Sequence, residues 1–270
     1  MSKHEPFDPE DENAMVERAL SEALPPVELP PARSAPLRER LLARVARASE
    51  AAKGFIRVRL SDAQWHRILP GVRIRRLDAG HRAVMIELAP GAALPVHRHH
   101  EDEECVVLRG DARLGEVVVG PGDYHLARPE SRHGRVTSER GALLYLRGTP
   151  IGHTREVLRD LVTALLPGDG AEPLTVRAAE GDWSARGEGV EGKLLREDGV
   201  SRSEMLRIAP GTRMRGATGA IGDECLLVDG DLSVDDWAMQ PGDYQVASPI
   251  GSHAEIASES GAVLFVRSAA

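Results

Sequence analysis

Short runs of valine, leucine and isoleucine recur along most of the chain, separated by Gly, Pro and Asp clusters at spacings near ten residues. The separators are APG at 89 and 209, RGD and DGD at 109 and 229, PGD at 121 and 241, and SERG and SESG at 138 and 258. Strands of this length, punctuated in this way, predict an antiparallel sandwich or small barrel. Helical periodicity is confined to three places. NAMVERALSEAL from Asn13 carries an N-cap and apolar residues at helical spacing. A second helix has Pro36 at its first turn, Leu37, Leu41, Val45 and Ala48 down one face, and Gly54 past its end. The third spans about His153 to Leu166, with Val157, Leu158, Leu161, Val162 and Leu165 apolar, and is ended by Pro167 and Gly168. Between the first two lies PPVELPPARSAP, an extended proline-rich connector.

The strand-rich part is a duplication. The segment from Ala89 lies over the segment from Ala209 at a constant offset of 120 without a gap, matching Pro90 with Pro210, Cys105 with Cys225, Tyr124 with Tyr244 and His133 with His253. Upstream, GVRIRRL at Gly71 matches GVEGKLL at Gly189 more loosely, with two extra residues in the second copy before Met205. The expected organisation is a helical segment with its connector over 1–54, a first β domain over 55–150, a linker helix over 151–170 and a second β domain over 171–270.

Composition adds a compartment and excludes some partners. The net charge of −8 argues against general affinity for nucleic acid or anionic membrane, and no apolar stretch approaches the ~18 residues needed to span a bilayer. The start has neither a basic n-region nor an apolar h-region, and two cysteines cannot build a disulfide framework, so a cytoplasmic location is expected. Charge is uneven near the start: residues 1–30 hold eight acidic and two basic side chains, whereas residues 31–59 hold eight basic and two acidic.

Candidate chemistry concentrates in PVHRHHEDEECVVLRG, from Pro95. On an extended strand residues two apart share a face, so His97 and His99 project together while Arg98 and His100 face away. Glu103 begins the apolar strand ending at Gly110, and His133 arrives from a later hairpin. Three imidazoles and a carboxylate suit zinc, iron, manganese or nickel, and this ligand set alone does not choose among them. In the second copy the counterparts are Ala217, Gly219, Asp223 and His253, too few donors for a site of this class, so one ion per chain, in the first domain, is expected. Cys105 and Cys225 sit two residues after the carboxylate position, where alternation turns both inward. Cys105 is a candidate redox residue beside a small-buried-residue reading, and Tyr124 a candidate pocket residue beside a packing one. His125 reads as a surface histidine, and Arg73, Arg75, Arg76 and Arg82 as a solvated strand edge rather than a site for an acidic substrate.

Gly91, His97, His99, Glu103 and Gly110 have the spacing of the first cupin motif, and GPGDYHLARPESRH, ending on His133, resembles the second. The resemblance implies an all-β fold of two tandem cupin-type barrels (double-stranded β-helix, or jelly roll) with a short helical N-terminal segment. With the N-terminal stretch ALSEALPPVELPPARSAPLRERLLARV, the chain resembles the ChrR-like cupin anti-sigma factors of bacteria. That likeness implies zinc at His97, His99, Glu103 and His133, with iron or manganese as the alternative, and a stress-responsive regulator of transcription responding to oxidative stress. It also implies an extracytoplasmic-function sigma factor as partner through residues 14–50. One departure is plain: the HxxxCxxC zinc motif of the family's N-terminal domain is missing, since no cysteine precedes residue 55. The alternative is a metal-dependent enzyme, an iron or manganese dioxygenase or isomerase acting on a small molecule. No general base beyond the ligands is visible, so a non-enzymatic role is favoured. The tandem copies are expected to form either a pseudo-dimer within one monomer or part of a homodimer.

Overall fold

The computed structural model describes residues 35–42, 55–62, 64–78, 82–99, 101–148, 172–215, 223–247 and 255–269. Residues 35–42 are helical, within the second expected helix, and belong to a unit spanning Met1–Ala48. The expected helices at Asn13 and His153 lie outside the described residues. Among the described residues no helix is long and apolar enough to cross a membrane.

All strands lie in a second unit, Ser49–Ala270. The first copy supplies β1 (Phe55–Val58), β2 (His66–Leu69), β3 (Val72–Asp78), β4 (Ala83–Leu88), β5 (Ala93–Leu94), β6 (His97–Arg98) and β7 (Glu103–Gly110). It continues through β8 (Ala112–Leu114), β9 (Val117–Val119), β10 (Tyr124–Ala127), β11 (Arg132–His133), β12 (Val136–Thr137) and β13 (Ala142–Arg147). The second copy supplies β14 (Leu174–Val176), β15 (Ser184–Gly187), β16 (Val190–Glu197), β17 (Ser201–Ile208), β18 (Arg213–Arg215) and β19 (Glu224–Gly230). It ends with β20 (Leu232–Val234), β21 (Trp237–Met239), β22 (Tyr244–Ala247), β23 (Glu255–Ala257) and β24 (Ala262–Ala269).

The architecture is two tandem jelly-roll barrels, as expected. The first is a seven-stranded sheet, β14-β10-β7-β13-β4-β3-β2, over a four-stranded sheet, β5-β12-β8-β9, with the β11-β6 pair at one end. The second repeats the plan with β1-β22-β19-β24-β17-β16-β15 over β18-β23-β20-β21. The opening strands are exchanged. β1 of the first copy pairs with β22 of the second barrel, and β14 of the second copy pairs with β10 of the first. Three-dimensional barrels therefore cross the linear limits of 55–150 and 171–270. Matching staples hold each exchanged strand: Leu60 N–H donates to Asp243 Oδ1 at 2.8 Å, and Ala178 N–H to Asp123 Oδ1 at 2.8 Å. Lys193 Nζ spends its protons on the carbonyls of Arg177, Ala178 and Glu180, as Arg75 does on those of Arg59 and Leu60.

Strand alternation divides the apolar residues among three cores. On β7, Cys105 and Val107 face the lumen of the first barrel, whereas Val106 and Leu108 face a seam between the two large sheets. Leu264 and Val266 on β24 line the second lumen, while Phe265 joins the seam. Both faces of these strands are buried, which is why they read as continuous apolar runs rather than alternating ones. Gly110 and its counterpart Gly230 are required by crowding: a Cβ on either would lie within 2.0 Å of the carbonyl oxygen of Gly141 or Gly261. Both also have positive φ, a backbone region that disfavours side-chain-bearing residues.

Candidate metal centre

At the mouth of the first barrel β6 pairs with β11, and the register sets His133 directly opposite His97. The turn after β6 is pinned by His99 N–H to Ser131 O at 3.1 Å and Glu130 N–H to His99 O at 2.7 Å. The chain then enters β7 at Glu103. His97, His99 and Glu103 each offer a donor atom, all within 4.8 Å of one another. His99 is fully buried and Glu103 nearly so, and the His99 Nδ1–Glu103 Oε1 separation is 3.9 Å. His97 Nδ1 lies 3.0 Å from Pro95 O. A carbonyl can only accept, so Nδ1 is the donor in this contact, and in the neutral ring Nε2 is then the nitrogen that can offer a lone pair to a cation. Two imidazoles and a carboxylate gathered at this distance fit a borderline divalent ion. The backbone of His133 is placed to add a fourth donor; its side chain lies outside the described residues, as does His100.

The turn that delivers Glu103 is braced from the other barrel. Asp102 is paired with Arg196 of β16 and approached at 3.8 Å by Arg128. Adjacent Glu104 points the other way, into the seam, where it accepts from Tyr124 Oη at 2.8 Å and faces Arg267 Nε at 3.4 Å. Its counterpart Glu224 accepts from Tyr244 Oη at 3.0 Å and from Arg147 Nε at 2.9 and 3.0 Å. Each barrel thus lends an arginine to the other's glutamate.

Two candidates take different places. Tyr124 packs in the seam, stacked 6.2 Å from Phe265, and its hydroxyl is held neutral by burial and by the Glu104 carboxylate. Cys105 faces the lumen but is a buried free thiol, pushed well above the ordinary range by burial and then by Glu103. Burial likewise pushes Cys225 up to about 12. Neither has the thiolate character of a reactive cysteine.

His125 corrects the surface reading: it is 2 % exposed, opposite Cys105 on the luminal face. Its Nδ1 lies 2.8 Å from the Thr175 hydroxyl, which arrives on exchanged strand β14. Desolvation drops its pKa to about 4, with Glu103 opposing and Arg177 reinforcing the shift. Sequence reasoning missed this contact because Thr175 is 50 residues away and belongs to the other copy. Of the four arginines, Arg75 is buried against the 59–60 turn while Arg73 pairs with Glu87 and Arg82 with Glu101.

The second barrel is furnished differently. Asp223, at the position of Glu103, is exposed and its Oδ2 accepts from Ala269 N–H at 2.8 Å. Gln245 replaces His125 and accepts from Arg57 Nε at 3.1 Å, Arg57 arriving on exchanged β1. The guanidinium continues to Asp236 Oδ1 at 3.3 Å and lies 5.3 Å from the Trp237 ring centroid. Ala217, Gly219 and His253 lie outside the described residues.

Comparison with known proteins agrees with the fold. The family model described as the ChrR Cupin-like domain matches twice, over residues 53–151 and 171–270. No curated protein matches the sequence. Among solved structures, a "putative dioxygenase" from Nostoc punctiforme aligns at 14% identity and TM-score 0.62, covering 81% of this chain and 83% of that one. Lactobacillus farciminis oxalate decarboxylase, in a formate complex, aligns at 15% identity and TM-score 0.53, covering 78% and 85%. A "Putative Glyoxylate Induced Protein" from Pseudomonas aeruginosa aligns at 10% identity and TM-score 0.57, covering 80% and 89%. At these identities the likeness is one of fold.

Proposed function

We propose that this chain, which belongs to the ChrR cupin-like domain family, is a cytoplasmic metal-binding regulator of transcription. Its first barrel responds to stress, and residues 14–50 engage an extracytoplasmic-function sigma factor. The observation that carries the reading is the family match over both copies, combined with a donor cluster in the first at His97, His99 and Glu103. These three residues and His133 would hold one ion per chain, with zinc as the metal. Tetrahedral zinc would be filled by four protein donors, which suits a sensor rather than a catalyst. The neutral, buried thiols favour the metal centre over cysteine oxidation as the point where a signal acts. The helix over 35–42 leaves Leu37, Leu41 and Leu42 exposed, the kind of apolar ridge an amphipathic segment offers a partner.

Elemental analysis of full-length protein purified without added metal should find about one zinc per chain, and H99A or E103Q should release it. Co-purification with a sigma factor and altered transcription on deletion are expected. Capture of no sigma factor together with unchanged transcription overturns the regulatory reading.

A second reading is a metal-dependent enzyme. It is favoured by likeness to structures named for a dioxygenase and an oxalate decarboxylase that share both barrels. Six-coordinate iron or manganese on the same four donors would keep two positions for oxygen and substrate. Iron or manganese in the purified protein, with oxygen uptake on a small-acid panel, would select this reading.

A further inference from the structure

One row of side chains distinguishes the outer face of the first seven-stranded sheet from that of its twin. Arg67 on β2 opposes Arg73 on β3, Arg73 opposes Glu87 on β4, Glu87 opposes Leu143 on β13, and Leu143 opposes Arg109 on β7. The row runs across the strands along an open groove of about 750 Å³, whose rim includes Arg140. Arg73 is paired with Glu87 and Arg140 with Asp111, but among the described residues neither Arg67 nor Arg109 meets a carboxylate. All four arginines are exposed.

The second copy shows that the sheet itself does not require this charge. In the same register its row reads Ala185, Glu191, Arg207, Val263 and Asp229. The central ion pair survives with its polarity reversed, Glu191 with Arg207 at 3.8 Å, while Arg67 has become alanine and Arg109 aspartate. Arg140 corresponds to Ser260, whose hydroxyl takes over the bond to Asp231. The first row carries three arginines and one glutamate; the second carries one arginine against two carboxylates. This is a local excess of cations on a chain of net charge −8.

We infer that this groove is a docking site for an extended acidic peptide. Arg67 and Arg109 are four strand steps apart, about 19 Å at the usual inter-strand spacing, and about six residues of extended chain cover that distance. Guanidinium groups at both ends, on Arg67 and Arg109, suit bidentate capture of carboxylates along such a segment. A nucleic-acid strand is disfavoured, because none of the described residues lining the groove is aromatic, the nearby Trp65 ring is already covered by Arg73, and the overall charge repels polyphosphate.

The test is fluorescence anisotropy of labelled hexaglutamate with the full-length protein at low salt. Wild type should bind one peptide, more weakly as salt rises. R67A/R109D, which installs the second copy's residues and keeps the Arg73–Glu87 pair, should bind at least tenfold more weakly with an unchanged melting curve. The reciprocal A185R/D229R should add binding on the second barrel. Equal affinity of R67A/R109D and wild type overturns the inference, as does tighter binding of a six-nucleotide single strand than of hexaglutamate.

Discussion

The two barrels share a strand plan, a seam and an exchange of opening strands, yet their lumens hold different chemistry. At the seam the copies agree: Glu104 and Glu224, Tyr124 and Tyr244, and Arg147 and Arg267 recur at the offset of 120 and make reciprocal contacts. On the luminal face they part: Glu103 and His125 in one barrel stand where Asp223 and Gln245 stand in the other. Residues that join the halves are constrained from both sides, because each buried glutamate must satisfy a tyrosine of its own barrel and an arginine from the other. Luminal residues pack within a single barrel, so one barrel can gather metal donors while in the other Gln245, at the position of His125, takes Arg57 from exchanged β1.

The strongest way to break the comparison is to separate its members. A chain ending at residue 150 would expose the seam face of β7, β10 and β13 and leave β10 without β14. It should show no cooperative thermal transition by circular dichroism, and co-expression with the second half should restore one. An independently folding first half would show that the exchange is incidental.

Within the seam, the two glutamates should differ in importance. Glu224 is gripped by Arg147, whose Nε–H is shared between both carboxylate oxygens and whose Nη2 lies 2.8 Å from Oε1, and is approached by Arg267 at 3.7 Å. E224A should therefore cost about 3–5 kcal/mol, the usual price of stranding a buried partner. Glu104 has the Tyr124 hydroxyl and a more distant Arg267, so E104A should cost about 2 kcal/mol. Urea unfolding of both variants checks the order; equal losses would mean that arginine contact does not set the ranking.

Acid should separate the lumens. His125 takes up a proton at about pH 4 in the fold against 6.5 ordinarily, so between those values the unfolded chain binds a proton that the folded one refuses. Its contribution is intact above pH 6.5 and is lost as the pH falls toward 4, by about 3 kcal/mol at most. H125Q, which copies Gln245, should flatten that part of the stability–pH curve. An unchanged curve would show that His125 titrates normally.

The smallest effect concerns the thiols, in which the barrels should behave alike. C105A and C225A should each cost about 1 kcal/mol, and neither native thiol should react with a disulfide reagent until the protein unfolds. Rapid labelling of Cys105 alone would sharpen the contrast and reopen a redox role for it.

The regular spacing of strands and turns, the offset of 120 and the HxH–Glu spacing made the duplicated barrels and the donor cluster legible, because these follow from neighbours along one strand or one turn. His97, His99 and Glu103 are close in sequence, so alternation and a single turn were enough to bring them together. Tyr124 and His125 could not be resolved that way. Alternation says that they face opposite sides, but both sides of β10 are buried, one by a second barrel and the other by its own. The signal that could have flagged the seam was the parallel recurrence of Glu104, Tyr124 and Arg147 at 224, 244 and 267.

What the sequence determined by itself was therefore local and periodic: strand, turn, repeat and the grouping of ligands on one turn. Tertiary structure alone decided which copy owns each opening strand, which face of a doubly buried strand meets the seam, and which distant side chain completes a contact, as Thr175 does for His125. Those outcomes depend on contacts between segments 50 to nearly 190 residues apart. No period along the chain encodes such a contact, because it forms only when two separately patterned surfaces exclude water from each other.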